Sequence, residues 1–247
     1  MTNPTPSHRI ALISVHGLIR GEQLELGRDA DTGGQTLYVV ELARALAARP
    51  DVDRVDLFTR LVPDPQLSAD YSRPIEDLGN GARIVRIEAG PPEYLPKEAL
   101  WDHLDAFSDN LLSFLREADR LPSLIHSHYA DAGYVGARLS AQLGVPLVHT
   151  GHSLGRDKRK QLLAKGLAKD AIEQTYNISR RIDAEEEVLA NADLVITSTR
   201  NEIEEQYSLY NYYDPDRMRV IPPGTDLRLF HPAEANEQIP FAANLNK

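Results

Sequence analysis

The sequence predicts an α/β protein with a Rossmann-like open parallel sheet and helices on both faces. Short apolar runs rich in β-branched residues recur along the 247-residue chain, as they do in buried parallel strands. Segments with the three-to-four-residue spacing of amphipathic helices lie between several of these runs. Strands that alternate with helices favour right-handed crossovers, which make the strands parallel and pack the helices against the sheet.

The first predicted strand is Ile10–Val15, which is continuous, apolar and followed by Gly17. Similar runs predict the remaining strands: Val55–Thr59, Ile84–Ile87, Leu124–His126, Leu147–His149, Leu194–Thr197 and Met218–Ile221. The clearest helical pattern consists of Leu100, Leu104, Phe107, Leu111 and Phe114 or Leu115. Such sheets bind ligands outside the carboxyl ends of their strands, so the loops with Gly33, Asp131 and His152 should face one crevice.

The composition limits the kinds of partner that the protein can bind. A formal net charge of −10 opposes non-specific attraction to nucleic acid or anionic membranes, although a local basic pocket can still bind phosphate. Without cysteine the chain can form neither a disulfide nor a cysteine-type zinc site. No apolar run is long enough to span a membrane, and residues 1–7 lack the hydrophobic segment of a signal peptide. We therefore expect a cytoplasmic protein without nucleic-acid or membrane partners.

The segment Asp31-Thr32-Gly33-Gly34-Gln35, after the first strand, is a candidate ligand-binding turn. Its two glycines have no Cβ atoms to keep a ligand from the backbone, and the next helix directs unpaired N–H groups at the turn. Gln35 adds an amide that both donates and accepts. The alternative is a glycine turn that only reverses the chain. Neither a Gly-x-Gly-x-x-Gly turn nor a Walker-type Gly-Lys-Ser or Gly-Lys-Thr is present, which disfavours NAD and ATP.

Four blocks of the sequence resemble the sucrose-phosphate synthases, a branch of the retaining GT-B glycosyltransferases. They are residues 27–46, 151–158, 180–186 and 220–226, and they follow the family's order. The resemblance implies that residues 1–230 form the Rossmann-like acceptor-binding domain, one half of a GT-B fold, and that residues 231–247 form a linker or tail. The family's carboxy-terminal donor domain, with its Glu-x7-Glu element, has no counterpart here, so we expect the isolated chain to be inactive.

The resemblance also implies roles for particular residues. His152 corresponds to a catalytic histidine that contacts the transferred glucosyl group and stabilises its developing positive charge, often through the backbone carbonyl. Lys97, Lys158 and Arg181 correspond to ligands of the acceptor's phosphate. Arg180 is a weaker candidate, because adjacent helical residues point about 100° apart. The other predicted acceptor-binding residues are Gly33, Gly34, Gln35, His128, Asp131 and Ser153.

These residues also have structural interpretations. His152 by itself is consistent with a loop histidine that pairs with the backbone, and the basic residues of segment 156–160 with a solvated helix face. His126, His128 and Asp131 could ligate zinc, but His-x-His patterns are more often buried sheet histidines. We expect neither an essential protein-bound metal nor another cofactor.

The resemblance implies that the complete enzyme transfers glucose from UDP-glucose, its co-substrate, to fructose 6-phosphate, with retention. The products would be sucrose 6-phosphate and UDP. The chain would bind fructose 6-phosphate itself and meet UDP-glucose through a second domain. Two alternatives stay open: a sucrose synthase, which uses free fructose and shares the Gly-Gly turn, and a non-catalytic sugar-phosphate-binding module. Ser153, Leu154, Gly155 and Arg156 match the phosphate-using branch better.

Overall fold

The computed structural model describes residues 7–118, 121–225, 227 and 232, and the predicted boundary between residues 1–230 and 231–247 falls outside these ranges. The described chain forms an eight-stranded sheet in the order β3-β4-β2-β1-β5-β6-β7-β8. The strands are β1 (His8–Ile13), β2 (Val52–Arg60), β3 (Ile75–Gly79), β4 (Ala82–Ile87), β5 (Leu124–His128), β6 (Leu147–Thr150), β7 (Leu194–Thr197) and β8 (Met218–Val220). Strand β3 is antiparallel to β4, and the other pairs in this sheet are parallel.

In the described chain, α-helices lie between β1 and β2, between β4 and β5, between β5 and β6, and between β6 and β7. They are α1 (Gly34–Ala47), α2 (Leu104–Glu117), α3 (Tyr129–Leu143), α4 (Gly155–Ala164), α5 (Lys169–Tyr176) and α6 (Ile178–Asn191). The predicted helix around Leu104 is α2, whereas Leu100 lies in the preceding 3-10 helix Lys97–His103. None of the helices in the described ranges has both the length and the hydropathy that a membrane crossing requires.

The two faces of the sheet bury separate cores. Along β1, Ala11 and Ile13 pack into a core that also contains Phe107 of α2. Ile10 and Leu12 pack on the opposite face, together with the apolar side of α1. Because successive side chains of a strand point to opposite faces, the unbroken apolar run of β1 reflects burial on both faces. The predicted α/β Rossmann-like fold is therefore confirmed.

Strand β3 is not predicted by the sequence pattern. This strand contains two acidic residues and a glycine, lies at the edge of the sheet and leaves Ile75 49% exposed. A strand of this kind has neither a continuous apolar run nor a strict alternation of apolar and polar residues. Its pairing with β4 is what defines it.

Two strands end earlier in the structure than predicted. Strand β1 ends at Ile13, before the predicted end at Val15, because the chain leaves the sheet towards Gly17, whose φ is +82°. Strand β8 ends at Val220, one residue early, as the chain approaches two prolines that have no N–H to donate.

Candidate functional site

The glycine turn lies directly before α1, and the fold does not require its glycines. Gly33 has an extended backbone, with φ −126° and ψ −151°, and Gly34 is the first residue of the helix. Among the described residues, no atom lies within 4 Å of the place where a Cβ would stand on either glycine. Neither residue has a positive φ. These observations favour a ligand-binding turn over a turn that only reverses the chain.

By contrast, Gly17 is a structural glycine of the same region. Its φ is +82°, and a Cβ on it would stand 2.6 Å from the backbone carbonyl oxygen of Asp31. An L-residue at this position would therefore be strained and would also clash with the backbone of the glycine turn. Gly17 thus fixes the position of the turn, while Gly33 and Gly34 leave space above it.

Gln35 and Tyr38 attach the start of α1 to the crevice at the carboxyl ends of the strands. Nε2 of Gln35 donates to Ser14 Oγ at 3.1 Å and to the backbone carbonyl of His128 at 3.4 Å. One turn later, the ring of Tyr38 contacts the ring of His152 edge-on, with 5.2 Å between centroids. The loops after β1, β5 and β6 thus meet, as the topology predicted.

A cavity of about 240 Å³ opens at the carboxyl ends of β6, β7 and β8, next to the start of α1. It is lined by Gly34, Gln35, Tyr38, Thr150, His152, Ile196, Thr197, Ser198, Ile221 and Pro223. The cavity combines backbone and hydroxyl donors with an imidazole and two aliphatic side chains. This mixture suits a polar ligand with an apolar face, such as a hexose.

His126 of β5 and His149 of β6 are buried, and each faces a hydroxyl group of the neighbouring strand. Nε2 of His126 lies 2.9 Å from Thr150 Oγ1, and Nδ1 of His149 lies 2.9 Å from Ser127 Oγ. Burial lowers the pKa of His126 and the pKa of His149 to about 3. No group of three or more His, Cys, Asp or Glu in the described ranges could hold a metal ion.

His152 has the backbone and surroundings of a functional residue. Its φ of +58° is in the left-handed region, which non-glycine residues seldom adopt and which recurs at active sites. The side chain is open to the crevice, and its Nε2 lies 3.0 Å from Nδ1 of the buried His128. The protein packed around the ring, together with His16, lowers the pKa of His152 to about 4. His152 is therefore neutral at pH 7.

Asp131 lies at the start of α3, where its carboxylate is fully engaged by the protein. Oδ2 accepts a hydrogen bond from His16 Nδ1 at 2.8 Å, and Oδ1 accepts from the backbone N–H of Ala132 at 2.6 Å. The ring of His16 in turn contacts the ring of Tyr129 edge-on, at 4.6 Å between centroids. Sequence reasoning missed His16, although its position just after β1 places it at the ligand-binding edge of the sheet.

Lys97, the first residue of the 3-10 helix Lys97–His103, contacts the glycine turn through Asp31. Its ammonium forms ion pairs with Asp31 and, at 3.1 Å, with Glu98. Burial disfavours the charged ammonium, but the contacts with Asp31 outweigh this, and the pKa of Lys97 is raised. From the sequence, Asp31 is predicted only as part of the candidate ligand-binding turn, and Glu98 has no predicted role although it follows Lys97.

Lys158 lies on α4 and packs against an aromatic ring. Its Nζ is 3.8 Å from the centroid of the Tyr176 ring. Burial lowers the pKa of Lys158, and the positive charges of Arg181 and Lys97 lower it further. Arg181 and Lys97 therefore lie close enough to Lys158 to repel its charge, and the carboxylates of Glu98 and Asp31 offset this repulsion in part. Within the part of the chain that the structure describes, Lys158 forms no ion pair with a carboxylate.

Arg181 is buried beneath the start of α4. Its Nε donates to Glu185 Oε1 at 2.9 Å, and its Nη2 donates to the backbone carbonyl and to Oγ of Ser153, at 2.7 and 2.9 Å. Glu185 also accepts from the backbone N–H of Gly155 and from the hydroxyl of Tyr210. Arg181 therefore positions Ser153 next to His152 while it neutralises a buried carboxylate.

The structure does not bring Arg180 together with these cations. Its guanidinium pairs with Asp102 at 2.6 Å and donates to the backbone carbonyl of Trp101 at 3.0 Å. With Trp101 and Tyr134 it lines a second cavity, of about 150 Å³. The angular separation of adjacent helical residues accounts for the different directions of Arg180 and Arg181.

Comparisons with known proteins place this geometry in context. The profile of Glycosyltransferase Family 4 matches residues 32–229. A probable sucrose-phosphate synthase 2 from Arabidopsis thaliana is 44% identical over 95% of this chain and 27% of its own length. The sucrose-phosphate synthase of Zea mays is 48% identical over 88% of this chain and 25% of its own length.

A solved structure of a sucrose-phosphate synthase from Thermosynechococcus elongatus is 32% identical, with a TM-score of 0.73. The match covers 97% of this chain and 53% of that one. The chain thus spans about a quarter of the length of the two curated relatives and about half of the solved structure.

Proposed function

The chain belongs to glycosyltransferase family 4, and we propose that it forms the acceptor-binding half of a sucrose-phosphate synthase. The complete enzyme transfers glucose from UDP-glucose to fructose 6-phosphate with retained configuration, in the cytoplasm and without an essential protein-bound metal. This chain binds fructose 6-phosphate, and UDP-glucose is held mainly by a second domain. The names of the curated relatives and of the solved structure support this proposal.

One observation carries the assignment of a phosphorylated acceptor: Lys158 forms no ion pair with a carboxylate among the described residues, although Arg181 and Lys97 repel its charge and Glu98 and Asp31 offset this repulsion only in part. A phosphate dianion beside Lys158 would relieve this repulsion and form charge-assisted hydrogen bonds. Lys97 and Arg181 are already paired with carboxylates. Because these carboxylates offset their charges, Lys97 and Arg181 mainly shape the site, while Lys158 supplies the ammonium that binds the phosphate.

The remaining geometry positions the sugar. The open backbone at Gly33 and Gly34 admits the ligand to the helix N-terminus, and Gln35 offers its amide there. His152 contacts the glucosyl group and stabilises its positive charge as an uncharged group, which agrees with its lowered pKa. Holding both substrates in a closed, dry cleft provides the catalysis, and the donor phosphate helps to deprotonate the acceptor hydroxyl.

The rival functions differ in the ligands they bind. A sucrose synthase would bind fructose without a need for phosphate, and a non-catalytic module would bind the sugar phosphate but would not form part of a transferase. Binding of fructose 6-phosphate, fructose and UDP-glucose to this chain, measured by calorimetry at one salt concentration, separates the first rival. We expect fructose 6-phosphate to bind about 10- to 100-fold more tightly than fructose. Equal affinity for the two sugars would overturn the phosphate assignment and favour the sucrose synthase.

The non-catalytic alternative needs a second measurement. Sucrose 6-phosphate formation is assayed for this chain joined to the donor domain of a sucrose-phosphate synthase. Product from the joined protein, and none when His152→Ala is introduced, supports the transferase. A joined protein that is folded and binds both substrates but forms no product would favour the binding module.

A further inference from the structure

We propose that His128 is a positioning residue that fixes the tautomer of His152, so that His152 offers a protonated Nδ1 to the crevice. The two rings share one hydrogen bond, between Nδ1 of His128 and Nε2 of His152, at 3.0 Å. One of these nitrogens must carry the proton and the other must accept it. The direction of this bond determines what His152 presents to a ligand.

The surroundings of His128 determine that direction. Its ring is fully buried, and its Nε2 has no hydrogen-bond partner in the described part of the chain. If Nε2 carried the proton, a buried N–H donor would have no acceptor, which folded proteins rarely retain. The proton of His128 therefore lies on Nδ1 and is donated to His152 Nε2. The remaining lone pair on Nε2 is an unpaired acceptor, which is the less severe defect.

Both rings carry a single proton at neutral pH, so each has a defined tautomer. Burial lowers the pKa of His128 well below its usual value, and the nearby His126, His152 and His149 lower it further. The pKa of His152 is also lowered, as described above. With its Nε2 occupied as an acceptor, the proton of His152 lies on Nδ1. No residue in the described ranges accepts a hydrogen bond from this nitrogen.

The arrangement also holds the ring of His152 in place. Its left-handed backbone is costly for a residue with a side chain, and the surrounding contacts must stabilise it. The bond from His128 fixes one edge of the ring, and the edge-on contact with Tyr38 fixes its plane. The Nδ1–H group is then a fixed donor for an oxygen of a bound sugar or phosphate. This last step rests on the proposed function, whereas the tautomer does not.

Nuclear magnetic resonance of the ¹⁵N-histidine-labelled chain tests the proposal. Two-bond ¹H–¹⁵N spectra at neutral pH distinguish protonated from unprotonated ring nitrogens, and the spectrum of His152→Gln assigns the signals of His152. We expect a protonated Nδ1 and an unprotonated Nε2 for both His152 and His128. A protonated Nε2 on either ring would overturn the proposal, whether or not the chain binds a sugar.

Matched variants test whether His128 fixes the tautomer of His152. In His128→Asn the amide nitrogen replaces Nδ1 as a donor, and we expect His152 to keep its tautomer. In His128→Leu the donor is lost, and we expect the signals of His152 to shift to a mixture of tautomers. A single, unchanged tautomer in folded His128→Leu would show that His128 does not set it. If His128→Leu does not fold, the spectra of the unmodified chain and of His128→Asn decide: loss of the tautomer in folded His128→Asn also overturns the proposal.

Discussion

Lys97 contacts the carboxylate of Asp31 twice, through its backbone N–H, which donates to Oδ2 at 2.8 Å, and through its ammonium, which pairs with Oδ1. These bonds join the 3-10 helix that begins at Lys97 to the glycine turn. The carboxylate is buried and the ammonium is largely so. An ion pair with a distant segment therefore stabilises the turn, and its conformation does not depend on the two glycines.

We expect Asp31→Ala to lower the free energy of unfolding by about 2 kcal/mol, because a backbone N–H loses its acceptor and the largely buried Lys97 ammonium keeps only Glu98 as a partner. Urea unfolding measures the change. The matched control is Asp53→Ala, whose carboxylate forms a partly exposed pair with Arg9 at 3.1 Å and should contribute less than about 1 kcal/mol. Losses of similar size in both variants would contradict this view of the Asp31 pair.

Lys158→Ala should weaken fructose 6-phosphate binding about 10- to 100-fold and leave fructose binding unchanged, since only the phosphate needs the ammonium. Lys160→Ala on the same helix is the control, because Lys160 is exposed and is not among the charges that act on Lys158. Calorimetry with both sugars gives the two ratios. An equal loss for both sugars would indicate damage to the crevice, and no loss would reject Lys158 as the phosphate ligand.

Gly34→Ala should weaken sugar-phosphate binding about tenfold or more while thermal unfolding changes little. The added Cβ meets no described atom within 4 Å, but it enters the space in which we place the ligand. Gly155→Ala provides the contrast: its Cβ would stand 2.8 Å from Glu185 Oε2 and 2.9 Å from Ile182 Cγ1, so the protein should lose about 1–3 kcal/mol of stability. Undiminished binding by Gly34→Ala would restore the turn-only interpretation.

The sequence predicted the parts of the structure that depend on local pattern and topology. Buried parallel strands are continuous apolar runs, and their carboxyl ends share one edge, so the meeting of the loops with Gly33, Asp131 and His152 could be foreseen. The resemblance selected Lys158 and Arg181, which the structure places within electrostatic range of one another.

Pairings between distant residues could not be foreseen in the same way. Nothing local indicates that Asp31 pairs with Lys97, that His16 donates to Asp131, or that Arg180 turns towards Asp102. These contacts join residues between 66 and 115 positions apart, and only the packed fold selects them.

Because His126 and His149 are buried, we expect the free energy of unfolding to decrease at acid pH. The pKa of His126 and the pKa of His149 are about 3 in the folded protein, compared with 6.5 for an unperturbed histidine. Because the folded pKa is lowered, the unfolded chain binds protons that the folded chain does not. The stability contributed by these neutral rings is complete above pH 6.5 and falls as the pH decreases towards 3.

Each histidine should remove roughly 1 kcal/mol per pH unit in this range. Urea unfolding of the unmodified chain between pH 7 and pH 5 measures the slope of the unfolding free energy against pH. In His126→Gln this slope should be shallower by the equivalent of about one bound proton, even if that variant is less stable overall. His8→Asn is the control, because His8 is an exposed residue at the start of β1 and is not part of the buried group. If His126→Gln and the unmodified chain lose stability with the same slope, His126 is protonated in the folded protein and its burial does not keep the ring neutral.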